Sequence, residues 1–175
     1  MRESSCFRDF IKYSSLNVLG MIALSCYILA DTFFVSKALG ANGLTALNLA
    51  IPVYNFINGS GLMIGMGGGT KYSIFKSQGK MREADRAFTH AAALTAVLAA
   101  CFFLLGLFAS APIARLLGAD ETVFEMSRTY LQVLLLFAPM FMTNNLLLCF
   151  IRNDGAPQLS MAAMITGSLS NVVLD

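Results

Sequence analysis

Leu16–Leu39 reads LNVLGMIALSCYILADTFFVSKAL, a 24-residue run with two charged side chains, Asp31 and Lys37. As a helix it would extend roughly 36 Å, enough to cross the ~30 Å hydrocarbon core of a bilayer. Asp31 sits about two-thirds of the way along it. A carboxylate at membrane depth costs about 2.5–3.5 kcal/mol on insertion scales, so such residues usually face the interior of a bundle or a water-filled cavity. Asp31 therefore marks a transport pathway, unless it lies close enough to the helix end to reach the headgroups.

The rest of the chain repeats this pattern. It is 57% hydrophobic and only 13% charged, where a soluble domain carries about 25% charge. Four more apolar segments follow: Leu44–Tyr72, Ala87–Phe108, Thr129–Phe150 and Gln158–Asp175. Each is near the ~20 residues a spanning helix needs, and the fifth would still be running at Asp175. These runs predict an all-α polytopic membrane protein. The N-terminal fifteen residues mix both charges and lack the short apolar core and cleavage site of a signal peptide, so the first span reads as a retained anchor.

The connections carry the polar residues. Gly40-Ala41-Asn42-Gly43 reads as a tight turn. Lys71–Arg86 is the most polar stretch, with Lys71, Lys76, Lys80, Arg82 and Arg86 against Glu83 and Asp85, and reads as a solvated connector suited to anionic headgroups. Ala109–Arg128 holds Pro112, Gly118 and the acids Asp120, Glu121 and Glu125, with Asp120 placed to cap the next helix. With the N-terminus in the cytoplasm, nine basic residues lie inside and three (Lys37, Arg115, Arg128) outside, which is the positive-inside bias of a cytoplasmic membrane protein.

Several function classes are excluded. A net charge of +2 gives no basis for nucleic-acid binding. Cys6, Cys26, Cys101 and Cys149 form no CxxC pair, and His90 is the single histidine, so neither a disulfide framework nor a zinc site is indicated. GMGGGTKY (65–72) lacks the Gly-Lys-Ser/Thr of a phosphate loop. No nucleophile–base pair points to an enzyme, and no cofactor is expected.

Two features inside the spans carry chemistry. Gly61, Gly65 and Gly69 fall on one helix face, which lets a neighbour approach closely, and Pro52 lies one span-half earlier. The segment is built to flex during a conformational cycle, or simply to pack. At the end of the chain, Asn171 and Asp175 are one helical turn apart on one face. With Asp31 they would put two carboxylates near one cavity, where repulsion makes one hold a proton unless a cation sits between them. The alternative is two unrelated polar groups, each satisfied by its neighbours. Asn144 and Asn145 in the fourth span also need partners, so at least one should face other helices.

ILADTFFVSKALGANGLTALNLAIPVY (28–54), LLGAD (116–120), IRNDGAP (151–157) and SNVVLD (170–175), in this order and spacing, resemble the N-terminal part of the multidrug and toxic compound extrusion (MATE) family. The resemblance covers essentially the whole chain. It implies five of the six helices of an N-terminal lobe, with the C-terminal lobe absent. It also implies an antiporter that exports small organic, often cationic, compounds across the bacterial cytoplasmic membrane in exchange for H⁺ or Na⁺. Asp31, Asn171 and Asp175 would form its cation-coupling site, and Tyr27, Tyr54, Met63 and Asn144 would line the substrate pathway. A lipid-linked saccharide flippase of the same superfamily is the second transport reading, although the spans lack the buried Arg or Lys a pyrophosphate would want. A truncated, non-transporting membrane protein is the third.

Overall fold

The structure, a computed structural model, describes the backbone of residues 3–174. It describes the side chains of residues 11–170 apart from 12, 13, 16, 17, 23, 24, 27, 30, 31, 168 and 169. Within these limits the chain is all helical: α1 (Glu3–Ser77), α2 (Met81–Phe108), α3 (Ser110–Leu116), α4 (Phe124–Leu136), α5 (Ala138–Asn153) and α6 (Pro157–Leu174).

α1 consists of two limbs separated at Gly40, whose φ of 64° and ψ of −153° lie in a region open essentially to glycine alone. The expected four-residue turn thus contracts to one residue, with Ala41, Asn42 and Gly43 already helical. Pro52 is carried inside the second limb. The polar connector contracts as well. Helix continues through Lys71–Ser77 and resumes at Met81, so only residues 78–80 are non-helical, reversed at Gly79 with φ 72°. Lys, Arg and Glu are good helix formers, so helices that outrun the apolar core simply continue into the polar stretch.

The expected fourth span is two helices. α4 starts before Thr129, and α4 and α5 meet at a 44° bend around Phe137. Pro139, at the first turn of α5, lacks the N–H that would bond back into α4, and this separates the two. Asp120 Oδ1 accepts hydrogen bonds from the backbone N–H of Thr122 and Val123, each 3.1 Å. It therefore caps the turn leading into α4, whereas the residue at the helix start proper is Val123. Ala109–Arg128 also contains α3, a short helix that the sequence pattern did not mark.

Contacts along the helices set their directions. A Cβ added to Gly61, Gly65 or Gly69 would meet, in turn, Met142, Cys149 and Asn153, so the second limb of α1 runs parallel to α5. Phe56 pairs with Phe102 and Gly68 faces Ala91, so α2 runs antiparallel to that limb. This up–down alternation buries Ile57, Ile64, Phe102, Leu135, Met142 and Phe150 in one cluster, while Ala50, Ala114 and Leu131 form a second beneath α3. The outer faces are apolar too: Met63, Val97, Phe108 and Met140 are all at least 64% exposed. Such a surface suits lipid rather than water. Among the described residues, α2 and the residues from Thr32 to Ser77 are long and apolar enough to span a membrane, and the bent α4–α5 pair makes a third candidate.

Candidate functional site

The polar centre of the described bundle lies on the seam between the second limb of α1 and α5. Asn58, Gly61, Gly65 and Gly69 are spaced 3, 4 and 4 residues apart, and so are Met142, Asn145, Cys149 and Asn153 on the facing helix. Matching periods keep both rows on one contact line. A Cβ on Gly61 would lie 3.1 Å from Met142 Cα, and one on Gly65 would lie 3.1 Å from Cys149 Cβ and 3.2 Å from the Asn145 carbonyl oxygen. An added side chain would push its neighbours back by a few tenths of an ångström, so glycine's bare hydrogen suits that approach.

The close approach brings two amides together. Asn145 Nδ2 donates to Asn58 Oδ1 at 2.6 Å and lies 3.4 Å from the Asn58 carbonyl oxygen. Both residues are half-buried. A double-mutant cycle of Asn58→Ala and Asn145→Ala, measured by unfolding in detergent mixtures, is expected to give a coupling of about 0.6 kcal/mol, the usual size for an amide pair between membrane helices. Zero coupling would show that the pair is ornamental.

Of the neighbouring amides, Asn144 is exposed. Tyr54 is half-buried with its ring edge-on to Phe141, centroids 5.8 Å apart. Met63 points outward at 70% exposure. The side chains of Asp31, Tyr27 and Asn171, and Asp175 as a whole, lie outside the described residues. Among the described residues no three His, Cys, Asp or Glu side chains converge as a metal site.

One contact brings the elements of the expected cation site together. Gly20, on the first limb of α1, is buried, and a Cβ there would lie 3.5 Å from Met164 Cε on α6. The first limb and α6 are therefore neighbours. α6 itself doubles back along α5 after a three-residue turn that Gly155 closes with φ 96°, and Ser160 Oγ donates to the Leu148 carbonyl oxygen at 3.4 Å.

That turn is fastened to α1. Tyr72 Oη donates to Asp154 Oδ1 at 2.8 Å, and Lys76 Nζ donates to the same oxygen. The two donors, one turn apart, hold the Asp154 carboxyl below the usual carboxylate range, Lys76 having the larger effect. Tyr72 also stands edge-on to Phe150, centroids 5.5 Å apart. Neither this knot nor Asn58 was singled out in the sequence. The signals were there: Tyr72 and Lys76 at i, i+4, and Asn58 three residues before the first glycine of the stripe.

Comparison with known proteins gives the fold its family. The MatE family model matches residues 17–175. The chain is 27% identical over 175 residues (99% of its length) to the multidrug export protein MepA of Staphylococcus saprophyticus, and 25% identical over 173 residues to MepA of Staphylococcus aureus. It is 28% identical over 168 residues (96% of its length) to the FAD transporter of Shewanella oneidensis. It spans 38% of the length of both MepA proteins and 37% of the FAD transporter. No solved structure matches it significantly. With a match that covers all but its first sixteen residues, this multi-pass membrane chain belongs to the MatE family.

Proposed function

We propose that the chain is the N-terminal part of a cation-coupled exporter in the bacterial cytoplasmic membrane, with its N-terminus in the cytoplasm. Asp31, Asn171 and Asp175 form the coupling site for H⁺ or Na⁺, and Tyr27, Tyr54 and Asn144 belong to the substrate route. The exported compound is small and organic, and cationic drugs are the leading class.

The observation that carries this reading is the contact between Gly20 and Met164. Asp31 follows Gly20 by eleven residues, and Asp175 follows Met164 by eleven, with Asn171 one turn before it. In a bundle of alternating spans the first and fifth run the same way. On this reading, equal steps of roughly 16 Å along the two helices would bring the carboxylates to a similar depth. Two carboxylates at one depth on adjacent helices are the arrangement an exchangeable cation requires.

The substrate class has a specific competitor, because the chain is as similar to an FAD transporter as to the MepA proteins. One experiment tests both. The full gene product is reconstituted in liposomes, and movement of ethidium and of FAD is followed under an imposed H⁺ or Na⁺ gradient. Gradient-driven movement of ethidium is expected. Movement of FAD alone would transfer the assignment to dinucleotides, and movement of neither would overturn the exporter reading.

A further inference from the structure

A cleft of about 330 Å³ opens where four helix ends meet, lined by Tyr72, Asp85, Phe88, Phe150, Asp154 and Leu159 among others. Its walls come from the last turns of α1 and α5 and the first turns of α2 and α6. All of it lies within about two turns of the ends of these helices, which in a spanning bundle is the depth of the lipid headgroups and the first acyl carbons. The floor is aromatic and aliphatic: Phe88 stands edge-on to Phe150 with centroids 5.0 Å apart, and Leu147 and Ile151 continue the apolar wall along α5.

The charges around it are unequally used. Asp154 is engaged by Lys76, and Arg86 by Glu83. Among the described residues, neither Asp85 nor Arg82 has an ion-pair partner. They sit three residues apart on one face of α2, Asp85 lining the cleft and Arg82 one turn further toward water. An anionic headgroup in the cleft would face the unpaired Asp85 carboxylate. A purely cationic amphiphile would lie beside an unpaired guanidinium. A headgroup carrying both signs about one helical turn apart meets neither penalty.

We propose that this cleft binds a zwitterionic aminophospholipid, its ammonium on Asp85, its phosphate on Arg82 and its acyl chain along Phe88, Phe150 and Leu159. The site is separate from the coupling carboxylates and independent of what the protein transports. Phosphatidylethanolamine is the natural probe, since it carries a phosphate and an ammonium joined by a short ethanolamine spacer.

The test is lipid retention. The full gene product is purified from membranes that contain phosphatidylethanolamine and phosphatidylglycerol, exchanged exhaustively into detergent, and its retained lipid quantified by mass spectrometry. Phosphatidylethanolamine should be enriched over the bulk ratio by about 5-fold, the factor one charge contact contributes near a membrane surface. Asp85→Asn should return the ratio toward bulk, Arg82→Gln should lower the total retained lipid without favouring phosphatidylglycerol, and Asp85→Glu should preserve the ratio. Both positions are exposed, so the variants should keep the helical content of the wild type by circular dichroism. Enrichment of phosphatidylglycerol, or unchanged enrichment in Asp85→Asn, would overturn the proposal. So would displacement of the bound lipid by equimolar dodecylammonium, which carries the ammonium without the phosphate. Because retention is read without transport, it fails or succeeds separately from the exporter reading.

Discussion

Asp31→Asn in the full gene product is expected to reduce gradient-driven efflux to the level of empty liposomes while the protein inserts and folds normally. Asparagine matches aspartate in size and keeps its hydrogen-bonding reach, so the substitution removes charge and little else. Insertion should become easier, because the first span loses a residue that costs about 2.5–3.5 kcal/mol at membrane depth. A loss of efflux could then not be blamed on a missing helix. The same variant should still bind substrate in the absence of a gradient, since the proposed role of the carboxylate is coupling rather than recognition. Asp175→Asn should give the same phenotype, and the double variant should be no worse than either single one, as befits two groups that share one cation. Normal efflux in Asp31→Asn would remove the carboxylate from the mechanism.

The sequence made α2 legible because lipid imposes a long apolar run wherever a helix crosses it, and Ala87–Phe108 could hardly be read otherwise. It was less informative where that constraint lapses. Residues 71–77 and 81–86 are more polar, yet they extend α1 and α2 because helix propensity continues past the hydrocarbon core. Pro139 was visible, but the separate identity of α4 and α5 depends on how far the bend goes, and a proline alone does not fix that. The two asparagines show what period reasoning could have added. Asn144 and Asn145 differ by about 100° around their helix. Only Asn145 shares the 3, 4, 4 spacing that faces the glycine stripe, so the choice was available by matching one helix to the other. The proposed coupling site is the opposite case. Its first-span carboxylate was legible as an intramembrane charge, whereas the adjacency of the first limb of α1 and α6 follows from a packing contact, Gly20 on Met164, that no spacing within either helix encodes.

The stripe itself yields the largest expected effect on stability. Gly65→Leu should destabilise the bundle by at least ~3 kcal/mol, measured as a shift in the denaturing-detergent fraction at the unfolding midpoint. A Cβ at 65 alone comes within 3.1 Å of Cys149 Cβ and Sγ and 3.2 Å of a backbone carbonyl, and backbone cannot swing aside as a side-chain tip can. Three further carbons force α5 away from α1, adding the usual 1–3 kcal/mol of overpacking strain to the loss of the Asn58–Asn145 bond and of the Gly61 and Gly69 contacts. Gly67→Leu is the matched control. It makes the same change two residues away, and nothing lies within 4 Å of the added Cβ. There the substitution should be neutral or slightly stabilising, because leucine is the better helix former by almost 1 kcal/mol. The contrast also separates the two roles open to this glycine-rich span. Glycines retained for flexibility would make both substitutions stiffen the helix alike, with similar consequences for transport. Glycines retained for contact make Gly65 intolerant and Gly67 free. The row of contacts from Gly61 to Gly69 along α5 favours contact: a helix held at backbone distance over about two turns moves with its neighbour as one body, and any conformational cycle must place its hinge elsewhere, at Gly40 or at the bend around Phe137.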